Sequence, residues 1–190
     1  MKPFSEAAER NSEPILAILK RVFADRTKVL EIGAGTGQHA AYFAANLPQL
    51  VWQASDVADN LPDIRQWVAD PPPIALDVGR SFPQLDIDAA FTANTCHIVS
   101  WPQVERMFEG VAALLPTGGV FAVYGPFHRS GQPTSESNAR FDALLRRRDP
   151  ASGVRDYEAV CALATHEGLA LEENNAMPAN NRLLVFRKRP

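Results

Sequence analysis

The sequence predicts a doubly wound α/β domain built on a mostly parallel sheet. Short apolar runs alternate with helical patterns along the chain, joined by short connections, as parallel strands covered on both faces require. The runs end in polar residues, and such a sheet gathers those ends on one rim, where ligands bind. The size agrees: 190 residues, 46% hydrophobic and 22% charged, suffice for one domain with a sizeable core. A single domain over residues 1–190 is the expectation.

The elements follow in order. Ser12 reads as an N-cap with Pro14 in the first helical turn, and Ile15, Leu16, Leu19, Val22 and Phe23 fall on one face. Residues 28–32 read as a strand that ends at a glycine cluster. Residues 38–46 read as a helix with Ala40, Phe43, Ala44 and Leu47 turned inward. A second strand over 50–54 ends at Ser55-Asp56, a short helix includes 64–68, and a third strand over 74–76 ends at Asp77. A fourth strand over 87–93 ends at Asn94. The helix over 104–115 stops at Pro116-Thr117-Gly118-Gly119, and a fifth strand spans 120–124. The stretch 125–137 is rich in Gly, Pro and Ser and reads as a long loop. Helical patterns over 141–147 and 157–167 precede a terminal hairpin, 169–176 and 182–187, around Met177-Pro178-Ala179-Asn180-Asn181.

Charge and composition exclude several function classes. Nineteen basic against 22 acidic residues leave a net −3, which argues against a strongly cationic nucleic-acid surface. Arg146-Arg147-Arg148 ends a helical pattern, where cations complement the dipole, and reads as a solvated face. No apolar run approaches the ~20 residues of a membrane span. The start, MKPFSEAAERN, has no hydrophobic stretch after its charge, so no secretory leader is expected. Two cysteines, Cys96 and Cys161, are too few for a disulfide framework or a four-ligand zinc site, and no cluster has metal-ligand spacing. A cytoplasmic protein without a bound metal is expected; oligomeric state leaves no mark on the sequence.

The segment Glu31-Ile32-Gly33-Ala34-Gly35-Thr36-Gly37 joins a strand to a helix, the context a nucleotide loop needs. Its glycines permit positive φ and let a ligand approach the backbone. Glu31 stands beside the loop with no Lys or Arg to offset it, which repels a pyrophosphate and attracts the ammonium and sulfonium of S-adenosylmethionine. The absence of Gly-Lys-Ser/Thr excludes a Walker loop. Asp56 lies about 20 residues beyond the turn, placed to accept from ribose hydroxyls, or else to cap a helix. Asp77 can accept from an adenine amine or serve as ordinary turn chemistry.

These residues resemble the class I S-adenosylmethionine-dependent methyltransferases: residues 31–37 their first motif, Asp56 their ribose acid and Asp77 their adenine-side acid. The resemblance extends to a methyltransferase-like family long catalogued as a domain of unknown function. It is carried by Ala8-Glu9-Arg10-Asn11, Gly37-Gln38-His39-Ala40, Tyr124-Gly125-Pro126-Phe127, Ser137-Asn138, Phe141-Asp142 and the 177–181 block. It implies a Rossmann-like sheet of seven strands with the last antiparallel, and residues 1–25 as a segment and helix over the cofactor site. The cofactor implied is S-adenosylmethionine, held by Glu31, Gly33, Ala34, Gly35, Gly37, Asp56, Asp77, Asn94, Arg10 and Asn11.

Asn94-Thr95-Cys96-His97 follows the fourth strand, whose end faces the transferable methyl in this fold. His97 is the candidate base, because imidazole titrates near neutrality, or else it satisfies a buried carbonyl. Asn94 can orient the methionine portion or an acceptor amine, and Tyr124 and Phe127 can wall an acceptor pocket with His128 at its mouth. The Pro-Pro that exocyclic-nitrogen methylases carry after this position is missing, which counts against a nucleobase acceptor. Cys96 reads as a packing residue. Arg10 can clamp a carboxylate through its guanidinium fork, and Asn180 and Asn181 close the pocket or shape the hairpin turn. The expected function is methyl transfer to a small molecule, against the alternatives of cofactor binding without turnover and an NAD-linked oxidoreductase.

Overall fold

Apolar residues alternate along the central strands and are buried on both faces, so each strand is sandwiched between helices. The computed structural model describes residues 2–80 and 82–190. In chain order the elements are α1 (Glu6–Val22), β1 (Lys28–Ile32), α2 (Gln38–Asn46), β2 (Val51–Asp56), α3 (Leu61–Ile64), β3 (Ile74–Ala75) and β4 (Ala89–Ala93). They continue with α4 (Trp101–Leu114), β5 (Val120–His128), α5 (Glu136–Arg148), β6 (Arg155–Asp156), α6 (Tyr157–His166), β7 (Leu169–Met177) and β8 (Asn181–Lys188).

The strand order is β3-β2-β1-β4-β5-β8-β7, with the two-residue β6 pairing β5 off this path. Strands β1 to β5 run parallel, and β8 is antiparallel to both β5 and β7. The main sheet therefore has seven strands with only the last reversed, as the resemblance implies. On one face Val29, Trp52, Phe91 and Val185 meet Ile15 and Leu19 of α1 and Phe43 of α2. On the other, Leu30, Phe121 and Phe186 meet Phe108 of α4 and Val160 of α6. The order reverses between β1 and β4, so the carboxyl ends of those two strands border the crevice where this architecture binds ligands.

Several elements differ from the sequence reading, among them α1, β5 and α3. Helix α1 begins two turns early, capped by Ser5, whose Oγ accepts from Ala8 N at 3.2 Å. Ser12 lies inside the helix, donating to the Ala8 carbonyl at 2.6 Å, and Pro14 is an interior residue. The apolar stripe that signals the helix starts only at Ile15, so the polar turns before it carry no periodicity. Strand β5 runs four residues past Tyr124 into the expected loop. There Gly125 and Pro126 pair with Arg182 and Asn181 of β8, and Phe127 and His128 with β6. The short helix lies at Leu61–Ile64, started by Pro62 in its first turn, rather than over 64–68.

Candidate functional site

The turn after β1 takes its shape from three glycines with left-handed φ, +71° at Gly33, +58° at Gly35 and +87° at Gly37. At Gly33 a Cβ would collide with the Thr95 hydroxyl, whereas at Gly35 it would meet nothing within 4 Å. The turn thus presses against the end of β4 at one glycine and opens to solvent at the other. Thr92 fastens the two strands, its hydroxyl donating to the Ile32 carbonyl at 2.9 Å and lying 2.8 Å from that of Thr95. Three of the turn's own N–H groups are occupied. Ala34 N donates to the Ser55 carbonyl at 3.0 Å, Gly37 N to that of Ala34 at 2.9 Å, and Gly35 N to Asp56 Oδ2 at 2.7 Å.

The three strand-end acids occupy different environments. Glu31 lies on the α1–α2 face of the sheet, 1% exposed, and accepts from Trp52 Nε1 at 2.7 Å. Burial pushes its carboxyl up to about 7, so at neutral pH it carries only part of its charge. Repulsion of phosphate by Glu31 is accordingly weaker than the sequence suggests. Asp56 is also buried, and its Oδ1 accepts from Val57 N at 2.7 Å and Asn60 Nδ2 at 2.9 Å. It braces the turn and ties down the segment that follows, whose N-cap is Val57 with no side-chain cap bond. Asp77 accepts from Gly79 N at 2.8 Å and faces Arg80 at 3.4 Å. With Val57, Asp59, Ala75, Leu76 and Arg80 it borders a recess of about 430 Å³ beyond β2 and β3. Val57, 41% exposed, offers that recess an apolar surface that the sequence reading passed over. An apolar residue directly after a strand-end acid was the signal.

Across β4 lies a cavity of about 570 Å³, and the motif blocks converge on it. Arg10 and Asn11 of α1, Asn94 beyond β4, Tyr124 of β5, Asn138 of α5 and Asn181 of β8 all line it, and none of residues 33–37 does. Asn94 holds a left-handed φ of +59°, which asparagine tolerates, and its N–H donates to the Tyr124 carbonyl at 2.9 Å. Burial holds the Tyr124 hydroxyl above its ordinary range, opposed by the Asn11 and Asn181 side chains. The Asn138 amide donates to Thr134 Oγ1 at 2.9 Å and to the Asn180 carbonyl at 3.4 Å, tying α5 to the β7–β8 turn.

His97 is placed differently from expectation. It is 4% exposed, does not line the cavity, and meets Phe141 edge-on at 5.1 Å. Burial, with the charge of Arg155, lowers it to about 4, so it is neutral near pH 7 and a weak base. Cys96 is buried and its thiol is pushed up to about 12, which agrees with a packing role. Neither Phe127, expected in the wall, nor His128, expected at the mouth, lines the cavity; both are buried, and Phe127 borders a separate recess of about 220 Å³.

The Gln38-His39 pair has a role that the sequence reading missed. Gln38 Oε1 accepts from Ser5 N, and its Nε2 donates to the Ser5 carbonyl at 3.4 Å. His39 Nε2 lies 2.7 Å from Asn11 Oδ1, and the ring stacks on Phe43 at 5.1 Å. Burial lowers His39 to about 4, so it is neutral, and the oxygen beside Nε2 places the proton there. The first turn of α2 thus fastens the polar half of α1 over the rim.

Among the described residues no group of three His, Cys, Asp or Glu side chains can hold a metal ion, and no helix is long and apolar enough to cross a membrane. Similar folds occur in solved methyltransferase structures. An O-methyltransferase family protein from Burkholderia thailandensis superimposes with a TM-score of 0.82 at 16% identity, over 97% of this chain and 58% of that one. Human N-acetylserotonin methyltransferase, in complex with S-adenosylmethionine, gives 0.81 at 14% identity, over 97% and 53%. A mitomycin 7-O-methyltransferase gives 0.83 at 16%, over 96% and 54%. At these identities the likeness is one of fold, and the chain spans little more than half the length of each structure. Residues 2–188 match the model of the family described as "Protein of unknown function (DUF938)", and the chain belongs to that family.

Proposed function

We propose that the protein is an S-adenosylmethionine-dependent methyltransferase with a small-molecule acceptor. The observation that carries this reading is the glycine turn at the switch point: the N–H groups of Ala34, Gly35 and Gly37 are taken internally, yet Gly35 faces open space. A turn whose outward Gly35 N–H is already spent on Asp56 suits a nucleoside that has no phosphate and disfavours a dinucleotide. The neighbouring recess suits an adenine, with Val57 against the ring and Asp77 near its amine. Asp56 is placed for the ribose, Gly33, Ala34, Gly35 and Gly37 shape the backbone approach, and Asn94 lies where the methionine portion passes into the second cavity. Glu31 contributes a partly ionised carboxyl beneath the turn, which a cation at the site stabilises in its charged form.

The bound cofactor supplies an electrophilic methyl group. The chain supplies position: β1 and β4 hold the two sides of the crevice, and Asn11, Tyr124, Pro126 and Asn138 give the second cavity a buried floor. The resemblance of fold to a methyltransferase crystallised with S-adenosylmethionine supports the reading.

Calorimetric titration with S-adenosylhomocysteine tests it. Micromolar-range binding is expected, weakened at least ten-fold by Asp56→Ala; equal affinity in that variant defeats the assignment. Transfer of labelled methyl separates an enzyme from a binding protein without turnover.

A further inference from the structure

We propose that the methyl acceptor is a carboxylic acid, bound in the second cavity with its carboxylate toward Arg10 and the Asn11 and Asn94 amides, and that the product is a methyl ester. This rests on the methyltransferase reading above, names the acceptor for it, and gives to that acceptor Arg10, Asn11 and Asn94, which the family resemblance implies for the cofactor.

The cavity contains no group fit to remove a proton. Its described walls include no aspartate, glutamate, histidine, lysine or cysteine. Tyr124 is its one weakly acidic side chain, and burial keeps that hydroxyl protonated. His97 is buried outside the wall with its ring edge against Phe141. An alcohol, phenol or ammonium acceptor must lose a proton before or during attack, and nothing here stands ready to take it. A carboxylic acid, with an ordinary pKa near ~4, arrives already ionised at neutral pH.

Charge points the same way. Arg10 carries the only formal charge among the described walls, and no carboxylate there repels an anion. Its ion pair with Glu6, 3.3 Å long, joins side chains 71% and 82% exposed. Such a pair is weak, and the guanidinium is available to a better-placed carboxylate. Asn11 spends its oxygen on His39, and its NH₂ group, which also meets the Tyr124 hydroxyl, has a second N–H as a donor. Pro126, Phe141 and Pro178 supply apolar wall for the body of the acid. The rim is thus divided: acids on the β1–β3 side suit a cationic sulfonium, and a cation with amide donors across β4 suits an anionic nucleophile.

The chemistry balances without a base. A carboxylate oxygen supplies the electron pair of the new O–CH₃ bond, and the C–S bond breaks with its pair kept by sulfur. An anion and a cation become a neutral ester and a neutral thioether, and no proton is released. Because charge disappears along the path, removing water strips solvation from the reactants more than from the transition state.

The test incubates the full chain with tritium-labelled S-adenosylmethionine and a low-molecular-weight extract of the cells that make it. Mild alkali then hydrolyses esters and releases labelled methanol to the vapour. The transferred label should be mostly volatile after alkali. Arg10→Gln, a change at an exposed side chain, should cut transfer at least ten-fold and leave S-adenosylhomocysteine affinity within two-fold by calorimetry. Alkali-stable label, or no label from protein that binds S-adenosylhomocysteine, overturns the carboxylate and leaves the cofactor reading standing. A ten-fold loss of S-adenosylhomocysteine affinity in Arg10→Gln also overturns it, because the guanidinium would then serve the cofactor's own carboxylate. Wild-type protein that binds no S-adenosylhomocysteine removes the methyltransferase reading, and this inference with it.

Discussion

Glu31 sits where a carboxylate is hard to charge, between β1 and the α1–α2 layer with Trp52 as its hydrogen-bond donor. Its folded value of about 7 lies above the ordinary 4.5. Between those values the folded chain binds more proton than the unfolded one, so stability falls as pH rises through the window. Full ionisation costs roughly 3 kcal/mol, from the shift of about 2.5 pK units. Glu31→Gln keeps an acceptor for Trp52 and removes that cost. In urea unfolding the variant should match the wild type near pH 4.5 and exceed it by up to roughly 3 kcal/mol at pH 8. Parallel pH profiles for the two proteins would show that Glu31 does not titrate in this range. The sequence placed Glu31 beside the turn but was silent on which face of the strand it takes. That depends on Trp52, a neighbour reached only through the β1–β2 register.

At the scale of elements, the apolar pattern located β1, α2, α4 and the terminal hairpin closely, because each carries its own periodicity or stop signal. The start of α1 escaped it, since residues 6–13 are polar and are held by partners distant in sequence. Those partners are Gln38 on the Ser5 backbone and His39 on Asn11. The second half of the helix is held by Ile15, Leu16 and Leu19 in the core. Two anchorages of different kind imply two local stabilities. Gln38→Ala removes both bonds to Ser5 and should raise amide hydrogen exchange over residues 6–12 by about ten-fold, the worth of roughly 1.4 kcal/mol. Exchange over residues 15–22 should not change. Uniform acceleration along α1 would mean that the helix opens as one unit and that the Gln38 contacts do not hold its first turns. The extension of β5 was equally hidden: Gly125-Pro126 reads as a breaker until β8 and β6 pair with it.

The whole molecule joins these parts through one property of its sheet, the reversal of strand order between β1 and β4. It brings the turn at residues 33–37, Asp77 at one recess and Asn94 at another cavity to the same rim, although they are spread over more than sixty positions. The convergence was legible in outline, because alternating strands and helices place every strand end on one rim. What excludes a diphosphate was not legible. The sequence assigned that role to Glu31, whereas the proposed function rests it chiefly on Asp56, whose carboxylate takes the Gly35 N–H. Bound ligand stabilises the native state in proportion to its occupancy, by about 2.7 kcal/mol at one hundred times its dissociation constant. For a chain of 190 residues that converts to a rise of about 5–10 °C in the unfolding midpoint. S-adenosylhomocysteine at that excess should produce such a rise, and NADH at the same concentration should produce none. A matching shift with NADH would mean that Asp56 releases the turn to a diphosphate, and the preference for a phosphate-free nucleoside would be lost.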